Sequence, residues 1–447
     1  MAKTTVPTHQ IQRTLSAHKG ARRLWLEGKR LADIGFLAGV RYQRTVTDDG
    51  IVLRLSAQGS RKVSRKEGRP VVDTLTRELG DMSRILVTFN PGEVLVAVNP
   101  MDLLARNRVR RVNARLARGW KLRLGSLCHG GGVSTDALLR GLGGKASLAF
   151  ANEYDPSYLG QSLEHGPART GLVRTFEGDL GDLGTTPEAL ATVPELDVLE
   201  AGLPCVSASR AGKAKKHLAQ QEDDEITADL AHAFLNIVAW SKPAVVVLEN
   251  VPEYATSGTA QMIRRSLKRQ GYDLHEIALD GGEWSLEARQ RWLLVATSHG
   301  LDFDPASLVP TSKPAALGEV LDARVPASSW RSTASLRKKA AKDKALGRGF
   351  SRGRKLLTPQ ATSVPTLRRG YQKGGSCDVR LAHPTRPNVA RLFSAAEHAR
   401  IKGIPPALVA GLSEKKAHEV LGQSVIAPAF VALGDLIRSS ARSFQAA

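Results

Sequence analysis

The sequence predicts an α/β chain built on an open parallel sheet with helices on both faces, preceded by a small β-rich domain. Three observations predict it. Between about residues 120 and 300, short β-rich runs alternate with helical patterns. One run, Pro243-Ala-Val-Val-Val-Leu248, is continuously apolar and rich in valine, as a strand buried on both faces must be. The third is Gly125-Ser-Leu-Cys128-His129-Gly130-Gly131-Gly132, a β pattern running into a glycine-rich turn, where missing side chains let backbone approach a ligand at a helix start.

Taken in order, the first segment, residues 1–118, reads as a separate basic domain. Arg23 to Glu27 is a strand pattern, Gly28 to Gly35 brackets a short helix, and Tyr42 to Val46 with Ile51 to Leu55 form a hairpin about a turn at Asp49-Gly50. This arrangement is weakly similar to the small swapped-hairpin domains of AbrB-like and SymE-type proteins, and no activity is carried across from them. In residues 119–300 strands are expected at Lys121 to Leu127, Leu148 to Asn152, Val173 to Glu177, Leu196 to Leu199, Ala244 to Leu248, Leu274 to Leu279 and Trp292 to Thr297. Helices fall between them, as at Thr135 to Leu142 and at Thr227 to Trp240, whose Leu230, Ala233, Phe234, Ile237 and Val238 share one face.

From 301 to 390 the periodicity dissolves into Ser, Pro, Gly, Lys and Arg, and Leu336 to Lys344 with Gly347 to Arg354 reads as a mobile basic loop region. Residues 391–447 regain order. Ser394 with Glu397 three residues on is a capping box, Gly403 and Pro405 stop that helix, and a last helix starts near Ala427.

Charge is unevenly placed along the chain. The formal net charge is +21, yet residues 1–120 and residues 331–390 each carry +13, so the remainder is acidic on balance. A body flanked by two basic attachments suits a polyanionic partner held by the attachments. Three cysteines with no Cys-x-x-Cys pair argue against a disulfide framework or a structural zinc site, and no metal is expected. No run approaches the ~18 apolar residues of a membrane span and the N-terminus lacks a signal-peptide core, so a cytoplasmic location is expected.

Two short strings carry the chemistry. Leu199-Glu-Ala-Gly-Leu-Pro204-Cys205 closes one strand on a cysteine, and the valine-rich strand ends on Glu249-Asn250-Val251. Together they resemble the DNA (cytosine-5) methyltransferase family. Five further elements occur in family order: the glycine-rich turn, Glu153 after the next strand, Arg289 and Arg291 before the strand at Trp292, the segment Arg391 to Pro405, and Gly422-Gln423-Ser424-Val425. The glycines and Glu153 alone fit an NAD-binding Rossmann fold equally well. The conjunction, covering about residues 121 to 440, decides between them.

The resemblance implies a Rossmann-like methyltransferase sheet, S-adenosyl-L-methionine as cofactor and a flipped cytosine in double-stranded DNA as substrate. C5 of cytosine is not nucleophilic, so a thiolate must first add to C6, and a free thiol is only about 3% ionised at neutral pH. The family's nucleophile corresponds to Cys205. Glu249 corresponds to the acid that absorbs charge developing toward N3, and Arg289, beside Arg291, to the arginine at the cytosine O2. On the cofactor side it implies Leu127, Cys128, Gly130, Gly132, Glu153 for the ribose hydroxyls, Asp179 near the adenine amino group, Pro204, Gln423, Ser424 and Val425. Three positions depart from the family pattern: Cys128 or Leu127 for an aromatic, Glu287 for the first Gln of Gln-x-Arg-x-Arg, and Gln423 for Asn.

The basic segment 301–390 occupies the family's target-recognition region, with Arg368, Arg369 and Arg380 as candidate readers of guanine edges. A monomer is expected in the nucleoid, with a cognate restriction endonuclease as a partner the family allows and no membrane. Two other readings stand beside this one: a cytosine-5 methyltransferase of the same fold acting on tRNA, and a catalytically inactive DNA-binding regulator.

Overall fold

The computed structural model describes residues 8–18, 20–47, 50–79, 84–170, 172–204, 229–347 and 356–443. Two compact units part between Asn107 and Arg108, inside helix α1 (Pro100–Ala117) and ahead of the expected boundary at 118. The second half of that helix belongs with the larger unit for a physical reason. Arg108, almost fully buried, donates to Ser298 Oγ (2.8 Å) and to the carbonyls of Gln270 and Gly271, with its guanidinium 3.8 Å over the Tyr272 ring. Arg111 and Arg115 close on the buried carboxylate of Asp197.

The smaller unit is wholly antiparallel. A six-stranded sheet (in order His9–Thr14, Arg84–Asn90, Glu93–Val98, Gly50–Leu55, Arg41–Thr47, Arg61–Lys62) encloses a core with a four-stranded one (Ser16–His18, Ala21–Glu27, Arg69–Leu75, Ser64–Lys66). The expected strand, short helix (Lys29–Asp33) and hairpin are present, paired Tyr42 to Leu55 through Thr47 to Gly50. The strands Arg84–Asn90 and Glu93–Val98 were not anticipated. Their alternation Ile85, Val87, Phe89 and Val94, Val96 about Pro91-Gly92 is a hairpin signal in its own right.

The larger unit is organised by a seven-stranded sheet: β1 (Leu122–Leu127), β2 (Ala146–Glu153), β3 (Arg174–Glu177), β4 (Val198–Gly202), β5 (Val245–Asn250), β6 (Tyr272–Asp280) and β7 (Gln290–Ser298). Their spatial order is β3-β2-β1-β4-β5-β7-β6. All seven expected strands are present, but the sheet is not wholly parallel. β7 runs antiparallel to both β5 and β6 because the connection 281–289 is too short for the crossover that parallel neighbours need.

Alternate residues of each central strand serve opposite layers. Val245 and Val247 of β5 pack in one core with α2 (Val133–Gly141) and the C-terminal helix Ala427–Ser443, while Val246 and Leu248 face the other core with Phe234, Ile237 and Val238 of the helix Leu230–Ser241. Each such side chain, fully buried, contributes about 1.5–3 kcal/mol. The C-terminal helix returns the chain to the sheet and crosses α2 at Gly141 and Gly434. A Cβ at either would overlap a carbonyl of the facing helix, Val431 O or Leu138 O.

The basic region departs from the expected loop at Leu336 to Lys344, while most of the expected loop from Gly347 to Arg354 lies outside the described residues. Its described residues form a four-stranded sheet (Arg331–Ser332, Val389–Arg391, Arg380–Ala382, Leu356–Leu357), a helix at Ala334–Ala345, and a core of its own from Leu317, Val320, Val364, Leu367, Tyr371, Val379 and Phe393. The apolar residues are too far apart in sequence to show a period, so only the tertiary contacts reveal the core. The capping box at Ser394 and Glu397 forms as expected, and Glu397 also takes a two-pronged ion pair from buried Arg391 (2.6 Å for each prong).

Candidate active site

Chain connections leave β1 and β4 toward opposite sides of the sheet, so the crevice at their carboxyl ends is a topological switch point, where ligands bind in open α/β sheets. A cavity of about 430 Å³ lies there. It is lined from the end of β1 by Cys128 and Gly130, from β2 by Glu153, from β4 by Gly202, Leu203 and Pro204, and from β5 by Glu249, Asn250 and Val251. Arg289 enters just before β7 and Arg291 from its second residue, and Gln423, Ser424 and Val425 come from the C-terminal segment. Residues nearly 300 positions apart in the chain therefore share one wall.

Three expected cofactor residues are placed otherwise. Leu127 is buried in the second core, and neither Gly132 nor Asp179 lines the cavity. Gly132 has φ 76°, and a Cβ there would collide with Ser162, His129 and Pro167, so this glycine is required for close packing behind the turn. Asp179 caps the short helix Leu180–Thr185 through the Gly181 amide (2.6 Å). Cys205 lies outside the described residues.

The cofactor side is held by backbone donors. The Gly130 amide donates to Glu153 Oε2 (2.6 Å) and the Asp155 amide to Oε1 (2.9 Å), which fixes the carboxylate while leaving further lone pairs for ligand hydroxyls. Beneath the turn runs a buried polar network that sequence reasoning missed. Glu200 of β4 accepts from Ser126 Oγ (2.6 Å) and Thr135 Oγ1 (2.5 Å); Ser126 Oγ meets His129 Nδ1 (2.8 Å), and His129 Nε2 meets Ser162 Oγ (2.7 Å). Burial raises the Glu200 carboxyl above its usual range and lowers His129 to about 4. Burial also pushes the Cys128 thiol upward, with Glu153, Asp179 and Glu200 adding to the shift, so this cysteine is held protonated and is a poor nucleophile.

On the other side, Arg291 Nε is 2.5 Å from Glu249 Oε1. It is Arg291 rather than Arg289 that meets this carboxylate. Arg289, almost fully buried, reaches instead toward the Gly422 carbonyl (3.4 Å). Asn250 donates to Leu203 O (3.1 Å) and accepts from the Val251 amide (2.9 Å), tying the loop that leads to Cys205 onto the end of β5. The three arginines considered as base readers also have specific positions. Arg368 pairs with Asp378, Arg380 donates to the carbonyls of Gly374, Gly375 and Asp378, and Arg369 lines the cavity 5.7 Å from the Tyr158 ring. Nothing in the spacing of Arg369 or Tyr158 marked them for the cavity wall.

Residues 144–439 match the family described as C-5 cytosine-specific DNA methylase. The chain is 27% identical over 269 residues to the type II methyltransferase M.NlaX of Neisseria lactamica, covering 58% of this chain and 81% of that protein. It is 26% identical over 268 residues to M.MspI of Moraxella sp, covering 58% and 59% respectively. Among solved structures, the Schizosaccharomyces pombe (S. pombe) Dnmt2 methyltransferase superimposes with a TM-score of 0.56 at 18% identity, over 71% of this chain and 98% of that one. The Entamoeba histolytica methyltransferase EhMeth gives 0.57 at 14% identity over the same shares, and at these identities the likeness concerns the fold.

Proposed function

Because the chain belongs to the C-5 cytosine-specific DNA methylase family, we propose that it methylates C5 of a cytosine flipped out of double-stranded DNA, through a transient bond from Cys205 to C6. One observation carries the proposal. The cavity joins a glycine-rich turn and a ribose-binding type of acid, Gly130 and Glu153, to Pro204 and to the Glu249–Arg291 pair. The first two suit a nucleoside cofactor; the others suit a pyrimidine.

S-adenosyl-L-methionine would supply an electrophilic methyl on its sulfonium. Its fit rests on the fixed Glu153 carboxylate, the bare backbone at Gly130 and Gly131, and a cavity volume within the range of small-molecule sites. The Gln423–Val425 segment would close the far wall.

In the reaction, the Cys205 sulfur forms a bond to C6 and electron density moves through C5 toward N3. Glu249 holds N3 and the exocyclic amino group, and Arg291, already fixed on Glu249, is the better placed arginine for O2. Arg289 then acts as wall rather than as a base contact. C5 gains the methyl, its proton leaves to solvent or a base, and the C6–S bond breaks to restore the aromatic ring. Flipping costs a few kcal/mol, offset by pocket contacts.

Transfer of labelled methyl to unmethylated duplex DNA, run beside Cys205→Ala, tests this. Label on cytosine C5 that disappears in the variant supports the reading. Label on tRNA but not on DNA would move the substrate to RNA, and no cofactor binding at all would leave a DNA-binding regulator.

A further inference from the structure

Beneath the cavity lies a buried ionic cluster that the reaction does not use directly. Glu287 and Lys402 are both fully buried, with Lys402 Nζ 3.5 Å from Glu287 Oε2. Their remaining bonds run in two directions. Lys402 donates to the carbonyls of Leu421 (2.5 Å) and Ser424 (2.8 Å), at the end of the helix Glu414–Gln423, where unsatisfied carbonyls and the helix dipole favour a cation. Glu287 Oε1 accepts from the Leu367 amide (2.6 Å), in the segment leading to Arg368 and Arg369. That segment rests directly on Gly422, where an added Cβ would overlap the Arg368 and Arg369 backbone.

Glu287 stands where the family pattern has Gln, so the pair replaces a neutral group by a charge that must be answered. Burial lowers the Lys402 amine to about 7, and Glu287 opposes that fall. Each charge is therefore sustained by the other. Arg289, almost fully buried, also lies 4.0 Å from Glu287 Oε1, so removing Glu287 takes the shared carboxylate from two buried cations, removing Lys402 leaves that carboxylate to Arg289, and removing both leaves one buried cation fewer to be answered than removing Glu287 alone.

We propose that Lys402 and Glu287 are a positioning pair, which fixes the Gly422–Val425 wall of the cofactor cavity and links it to the target-recognition segment at Leu367. Neither residue touches the reacting atoms. The pair sets the place of Gln423, Ser424 and Val425 from below, and through the Leu367 amide it makes occupation of the cavity felt in the DNA-facing region. This rests on the reading of the cavity as an S-adenosylmethionine site.

The test is a calorimetric titration of S-adenosylmethionine into the full chain without DNA. Glu287→Gln is expected to weaken binding at least about tenfold and Lys402→Met by less, while the double variant Glu287→Gln/Lys402→Met returns to within about fivefold of the parent. At saturating cofactor the single variants should keep kcat within about threefold, because transition-state contacts are untouched. Cofactor should slow amide exchange across residues 364–369 in the parent and lose that effect in Glu287→Gln. Single variants that bind as the parent does, or a double variant no better than the worse single, would overturn the pairing. Should a single variant not fold, the neutral double variant still decides. A parent chain that binds no S-adenosylmethionine would instead sink the functional reading itself.

Discussion

The crevice at the sheet's carboxyl edge and the helix Ala334–Ala345 of the basic region use charge in opposite ways. In the crevice and just beneath it, Glu153, Glu200, Glu249 and Glu287 are each held by named donors or cations at 2.5 to 3.5 Å, and all are buried or nearly so. On the helix, Arg337, Lys338, Lys339, Lys342 and Lys344 are all exposed, and Lys338 and Lys342 repel one another at i,i+4. Reaction geometry needs charges that cannot move. Attraction to a polyanion needs only that they be present and accessible.

The comparison is broken most severely at Glu249. Glu249→Gln keeps shape but removes the charge that Arg291 faces and, in the proposed reaction, the acid that answers charge at N3. The expected loss in kcat is roughly 10²- to 10⁴-fold, with DNA affinity changed only a few-fold. Single-turnover methyl transfer beside a DNA-binding isotherm separates the two. A variant that keeps kcat would place the acid elsewhere.

Acid attacks the crevice before the helix. His129 is buried and holds Ser126 and Ser162, with its folded-state value lowered to about 4. The unfolded chain takes up that proton near pH 6.5 and the folded chain does not, so stability is full above about 6.5 and falls as pH drops toward 4. The shift corresponds to about 3 kcal/mol at this one site. Urea melts between pH 7 and 4.5 should show the decline, and His129→Asn should flatten part of it. Equal slopes in parent and variant would mean that His129 is not the group responsible.

How much of this was legible in the sequence follows the same division. The strands were readable because Val245 to Leu248 must satisfy two apolar layers at once, and the capping box at Ser394 and Glu397 is a local interaction. Glu249 and Pro204, which line the cavity, could be singled out because they sit in short contiguous strings. Three kinds of feature were not legible. The reversal of β7 depends on a connection length, the core of residues 317–393 depends on contacts with no period, and the pairing of Glu287 with Lys402 joins positions more than a hundred residues apart. The choice of Arg291 over Arg289 at Glu249 was hidden for a smaller reason. Arg289 and Arg291 are two positions apart, a spacing that would put both on one face of a strand, and both do line the cavity; which of them reaches Glu249 is set by the break between Ala288 and Gln290, which the spacing does not show.

Between these extremes lies the helix crossing that returns the C-terminus to the sheet. Gly434→Ala forces a methyl against the Leu138 carbonyl and should cost about 1–3 kcal/mol, read as a lowered urea midpoint. Because that helix shares a core with Val420 and Val425, cofactor affinity should fall with it. An unchanged midpoint would mean that the two helices separate without cost.

The smallest effect, and the one that sharpens the comparison most, is on the basic helix. Lys338, Lys339 and Lys342 changed together to Gln should leave kcat at saturating DNA unchanged, since none approaches the cavity. What should change is the salt dependence of DNA binding. Each lysine that neutralises a phosphate contributes roughly −0.9 to the log-log slope, so the triple variant should flatten that slope by up to about 2.7. The loss should be the same on every DNA sequence, because phosphate contacts carry no base information. A slope identical to the parent's would show that this exposed charge is not used on DNA. A loss confined to one sequence would show that the helix reads bases, and the contrast with the crevice would then be one of place rather than of kind.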